Sequence, residues 1–213
     1  MKKLIILLIV LSFAFQEADY LKEAQSWADK VFKLIYAVGC KHVHPAAKTF
    51  DQIKEVKKIT CATSSSITYQ QAGLIKKGKI VSHTSAIPEG QNILSHYDVS
   101  DLKKSLKLTV SHAENLKKGS CDFVKVMKKF KDMPAWLKQK GIMYVQDSNI
   151  CISAGENKIY SCNQTGKTYS QSGVNPLRKS GYPFKSPILW AIVPRSKGKS
   201  NVDSKTTLHH LPC

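Results

Sequence analysis

Thr60-Cys61-Ala62-Thr63 is the stretch of this sequence best suited to chemistry. The residues after it follow a helical pattern to Gln71-Ala72-Gly73-Leu74, with Gly73 as the stop, so Cys61 stands at a helix N-terminus. Unpaired backbone N–H groups and the positive end of the helix dipole stabilise a thiolate there, the ionised form that attacks a carbonyl carbon. Such a nucleophile needs a base. The histidines that follow Cys61 before the strand-rich region are His83, His96 and His112, and His83 stands beside Ile80-Val81, where a loop could bring its ring to the sulfur. The competing reading makes Cys61 a core cysteine or half of a disulfide, and His83 a solvated loop residue.

Helices come first and strands afterwards, which predicts an α+β fold. From Ala18 to Ala37, apolar residues at Leu21, Ala24, Trp27, Ala28, Val31, Leu34 and Ile35 recur at helical spacing, and Gly39 stops them. Thr49 to Lys58 reads as a short helix or turn before Cys61, and Val99 to Leu108 as a helix capped by Ser100. Asp122 to Lys128 reads as a strand, and Pro134 to Gly141 as a turn into Ile142-Met143-Tyr144-Val145-Gln146. Asn149 to Ser153 and Lys158 to Cys162 flank Ala154-Gly155-Glu156-Asn157, a β-hairpin. A turn centred on Gly155 sets Asn149 across from Ser161, whereas a two-residue turn at Glu156-Asn157 sets Cys151 opposite Cys162. In either register Asn149 and Cys151 share a face, which makes Cys151 a secondary thiol candidate beside its core reading. Ile188 to Val193 reads as a closing buried strand, and residues 195–213 as a loose polar tail.

Lys2-Lys3, an apolar run from Leu4 to Val10, and Ser12 and Ala14 make residues 1–16 a secretory signal, too short for a membrane span. The mature chain is expected to be exported, with no transmembrane segment. The formal charge of the 213 residues is +18, and losing Lys2 and Lys3 leaves +16, carried mainly by lysine pairs such as Lys76-Lys77, Lys103-Lys104, Lys117-Lys118 and Lys128-Lys129. Such a field attracts polyanions or simply solvates the surface; charge alone does not choose a partner. Six cysteines in an oxidising compartment allow disulfides, and keeping Cys61 as a thiol leaves at least one other unpaired within the chain. His42 and His44 lie close to Cys40, but no spacing is of zinc type. Neither a phosphate-binding glycine motif nor an aromatic RNA-binding signature is present, so a nucleic-acid reading rests on charge alone.

Taken in order, these motifs resemble the NlpC/P60 superfamily of papain-like cell-wall cysteine peptidases. The matching elements are the Cys61 helix through Gln71-Ala72-Gly73-Leu74, the Leu137-Lys138-Gln139-Lys140-Gly141 turn, and Asn149 to Gly155 with the second strand to Ser161. Lys48-Thr49-Phe50-Asp51 and Lys57-Lys58 are similar to a subset of the family. The resemblance covers Ala18 to Val193, a domain over residues 17–194 between signal and tail. It implies helices packed on an antiparallel sheet, Cys61 as nucleophile, Asn149 and Ser161 at the base and third polar positions, no cofactor and no metal. It also implies cleavage of stem-peptide bonds in bacterial peptidoglycan, with the lysines holding the protein on peptidoglycan or another anionic envelope polymer.

The sequence departs from the family where the base belongs. Asn149 replaces the histidine, and an amide cannot take a thiol proton at neutral pH. Ser161, Thr60 and Ala62 likewise replace the usual polar groups. Either another histidine, His83 first, supplies the base, or the fold keeps its groove and has become a cationic wall-binding or defence protein without turnover.

Overall fold

Asp19 opens the first helix, its carboxylate accepting the Lys22 backbone N–H at 3.1 Å. The computed structural model describes residues 17–38, 46–56, 59, 61–81, 115–145, 150–160, 175–176, 187–205, 208 and 210–213. The signal at 1–16, the Cys40 and His42 segment, the helix expected over 99–108 and the whole of 82–114 lie outside the described residues. Helix α1 spans Tyr20–Val38 and buries Ala24, Ala28, Val31 and Ile35 of the stripe predicted from spacing, with Leu21, Trp27 and Leu34 half-buried at its edges and Phe32, outside the predicted stripe, buried beside them. Helix α2, Gln52–Val56, is a single turn that buries Ile53. Helix α3 spans Cys61–Gln71 and ends at Gly73, whose φ of +77° lets Leu74 N–H donate to Tyr69 O at 2.9 Å.

Among the described residues, seven strands form one sheet in the order β5-β4-β3-β2-β6-β1-β7, each neighbouring pair antiparallel. Their bounds are β1 Cys121–Lys128, β2 Met143–Val145, β3 Ile150–Gly155, β4 Lys158–Tyr160, β5 Asn175–Pro176, β6 Ile188–Pro194 and β7 His210–Pro212. On one face Phe123, Met143, Ile150, Ile152, Tyr160, Trp190 and Ile192 pack with α1 and α3. On the other, Val124, Val126, Tyr144, Cys151, Ile159, Ala191 and Val193 meet Phe130, Met133, Leu137 and Ile142 from two short 3-10 turns and the segment around them. Because both faces are covered, β6 is buried along its whole length and reads as a continuous apolar run. The α+β architecture is therefore present.

Three expectations change. Strand β6 does not close the sheet but lies inside it, between β2 and β1. The segment 195–213 is not a loose tail: β7 pairs with β1, Cys213 is disulfide-bonded to Cys121, and Arg195 N–H donates to Ser120 O at 2.9 Å. Polar composition misled there, because a terminal cysteine and a three-residue strand suffice to fasten an otherwise hydrophilic segment. Neither hairpin register holds over the described pairs. The two-residue turn at Glu156 and Asn157 forms, with φ of +51° and +57°, and Gly155 pairs with Lys158. Ala154 is then an extra residue on β3, so Ser153 faces Ile159 and Ile152 faces Tyr160. A β-bulge slips the pairing by one, something turn length alone does not reveal.

The glycine of the Leu137 to Gly141 turn is required by contact as well as conformation. Gly141 has φ +90°, and a Cβ there would stand 3.1 Å from the backbone nitrogen of Gln25 in α1. Gly141→Ala is expected to destabilise the fold by about 1–3 kcal/mol, read as a lower urea midpoint. An unchanged midpoint would mean that α1 has room to move away from this turn.

Candidate active site

Cys61 is the first residue of α3, as predicted. Its side chain lies outside the described residues, as do Asn149, Ser161, His83, His96 and His112. What the structure describes is the scaffold that orients α3. From Thr63 to Gln70 every residue of this helix is buried, although most are Ser or Thr. Small side chains let α1 and β3 approach α3 closely, and their hydroxyls then need internal partners. Thr68 Oγ1 donates to Ser64 O at 3.1 Å, and Ser66 Oγ accepts Val81 N–H at 2.9 Å. Gln70 Nε2 donates to Lys48 O at 2.8 Å and also to Lys79 O.

Tyr69 fixes the helix to the sheet. Its hydroxyl accepts Met143 N–H at 3.0 Å and has Gly141 O at 3.0 Å and Ile192 O at 2.9 Å for its single proton. Burial raises its pKa well above the usual phenol range, so it stays protonated. Met143 pairs with both Ile152 and Ile192, so Tyr69 marks this level of the sheet. Beyond it, Leu74 O accepts Lys117 N–H, and the chain turns at Ser120 into Cys121. Tracing α3 back from Tyr69 to Cys61, about 12 Å along the axis, thus leads away from the Cys121 end of the sheet. Nothing in the residue pattern singled out Tyr69, except that it is the one aromatic side chain in the helix.

Cys151 is a buried thiol on the face away from α3, opposite Tyr144 on β2. That removes it as a second nucleophile and leaves its core reading. The indoles also serve packing: Trp190 lies in the helix-side core, Trp27 meets Phe50 edge-on at 5.7 Å, and Trp136 borders the second core. Among the described residues there is no group of three His, Cys, Asp or Glu side chains able to hold a metal ion.

A second polar cluster, absent from the sequence reading, ties α1 to the hairpin. Asp29 accepts hydrogen bonds from Lys140 Nζ at 2.8 and 3.0 Å and from Tyr160 Oη, while the Tyr160 ring stacks on Phe32 at 4.6 Å. Burial pushes the Asp29 carboxyl up, but the hydrogen bonds from Lys140 and Tyr160 together outweigh it and hold the group below its ordinary value. A depressed folded-state pKa adds stability above the unfolded-state value and loses it as pH falls through the folded one. The stability gap between wild type and Asp29→Asn is therefore expected to be constant near neutrality and to narrow below about pH 4. With Asp29 half exposed, the electrostatic part stays under about 1 kcal/mol. Urea midpoints at pH 7 and pH 2.5 test this, and an equal gap at both would show that charge has no part in the contact.

The class that this architecture defines is α+β: among the described residues, three helices and two 3-10 turns packed about an antiparallel sheet. Comparison with protein-family models, with curated proteins and with solved structures gave no match.

Proposed function

We propose that this chain is a secreted, papain-like cysteine peptidase of NlpC/P60 type that acts on the stem peptides of bacterial peptidoglycan, with turnover weakened by Asn149. The observation that carries the reading is α3: a buried helix that begins at Cys61 and packs on the antiparallel strand β3. In that arrangement the Cys61 thiolate attacks the peptide carbonyl, and helix N-terminal amides hold the developing oxyanion. A protonated base, with His83 the first candidate, gives its proton to the leaving amine, and water then hydrolyses the thioester. The Cys121–Cys213 disulfide supports an oxidising, exported setting. Among the described residues no helix is long and apolar enough to cross a membrane.

Asn149 in the base position favours a second reading, a cationic wall-binding or defence protein without turnover. Release of soluble muropeptides from purified sacculi separates the two. Wild type is expected to release them slowly, Cys61→Ala not at all, and Asn149→His faster than wild type by at least tenfold, the low end of a general base's contribution. Equal release by wild type and Cys61→Ala would remove the nucleophile. Binding without release in all three would establish the second reading.

A further inference from the structure

Two Lys-Lys-Gly turns far apart in sequence lie together at the C-terminal end of α3. In the first, Lys79 N–H donates to Lys76 O at 3.1 Å; in the second, Ser120 N–H donates to Lys117 O at 3.0 Å. Gly78 and Gly119 each occupy the third turn position with φ of +79° and +76°, the conformation a type II turn demands there. An antiparallel bridge between Ile75 and Leu116 sets the turns side by side. Gln70 adds a third segment, because the carbonyls of Lys48 and Lys79 share its Nε2. Lys48, Lys76, Lys77, Lys79, Lys117 and Lys118 are all exposed. Among the described residues, only Lys77 of these six has an ion-pair partner, Asp51 at 3.2 Å, and that pair is itself solvent-exposed.

We propose that the paired turns form the binding surface for a linear phosphodiester polymer of the cell envelope. Lysine ammonium groups are hydrated point charges that neutralise phosphates without fixing their orientation, which suits a flexible chain. The turns expose no large apolar group for insertion into a bilayer. Among the described residues the ring beside the turns is that of Tyr20, and it already lies under Lys117 Nζ at 5.5 Å rather than being presented for base stacking. The eleven residues of α3 span about 16 Å, so the turns lie about that far along the helix from Cys61. The choice of an envelope polymer rests on the peptidase reading, whereas the existence of the surface does not.

Co-sedimentation with sacculi that carry a phosphodiester polymer, and with the same sacculi stripped of it, tests the proposal. One variant changes Lys76, Lys77, Lys79, Lys117 and Lys118 to Gln; a charge-matched control changes the exposed Lys128, Lys129, Lys131, Lys197 and Lys199. The first is expected to bind unstripped sacculi at least tenfold more weakly, with a salt dependence shallower by about 3.5 in log–log slope. The control is expected to stay within twofold of wild type, and stripping is expected to abolish the difference between the variants. Equal loss in both variants would reduce the surface to diffuse charge. A loss that persists on stripped sacculi, or tighter binding to a single-stranded oligonucleotide or to anionic vesicles than to the polymer, would overturn the assignment. Muropeptide release by Cys61→Ala is read separately, so the peptidase reading can fail while the surface stands.

Discussion

Arg195→Met is expected to destabilise the fold by about 3–5 kcal/mol. Asp122, on β1, is almost fully buried, and its carboxylate is held by two parallel hydrogen bonds, from Arg195 Nη2 at 2.7 Å and Nε at 3.1 Å. Removing the guanidinium leaves a buried charge without its partner, which costs more than the pair contributes when intact. One consequence distinguishes this from lost packing. Asp122→Asn combined with Arg195→Met should be more stable than Arg195→Met alone, because the stranded charge has gone. Urea midpoints of wild type and the two variants at pH 7 decide the matter. A single variant no less stable than the double at neutral pH would show that water reaches Asp122 once Arg195 is gone.

Removing the Cys121–Cys213 disulfide is the second large expected effect. The two Cα atoms are 5.3 Å apart and the residues are separated by 92 positions. For a loop of that length, chain entropy puts the stabilisation near 4.7 kcal/mol, and measured losses for native disulfides run about 2–5 kcal/mol. Cys121→Ser with Cys213→Ser should lower the denaturation midpoint accordingly. It should also release β7, which pairs only through Asp122, Phe123 and Val124 of β1. Faster amide exchange confined to β1 and β7 would accompany the loss. Exchange unchanged in β1 would mean that backbone pairing alone keeps the C-terminus in place.

The helices were legible because their signals are local. The α1 stripe from Leu21 to Ile35 and the Gly73 stop lie within one or two turns of what they determine. That a hairpin turn falls within Ala154 to Asn157 was legible for the same reason, but the choice between Gly155 and Glu156-Asn157 as its centre was not. The bulge at Ala154 was not, because it depends on how β3 meets the neighbours across the sheet. The interior place of β6 and the capture of 195–213 by β1 depend on pairings some 45 to 90 residues apart in sequence. Lys125 shows the same limit: it reads as another surface lysine, yet it is buried beside Trp190 because β1 is covered on both faces. Of the candidate site, the position of Cys61 at a helix start was legible, while the Tyr69 anchor needed the strands it reaches.

Helix α3 is held in place from outside rather than by its own composition. Thr63, Ser64, Ser65, Ser66 and Thr68 are indifferent helix formers, and an isolated peptide of eleven residues with that composition has little tendency to coil. Its partners, Met143 and Ile192, come from the strand-rich half of the chain. The helix that begins at Cys61 therefore owes its order to what it touches in β2 and β6 more than to its own residues.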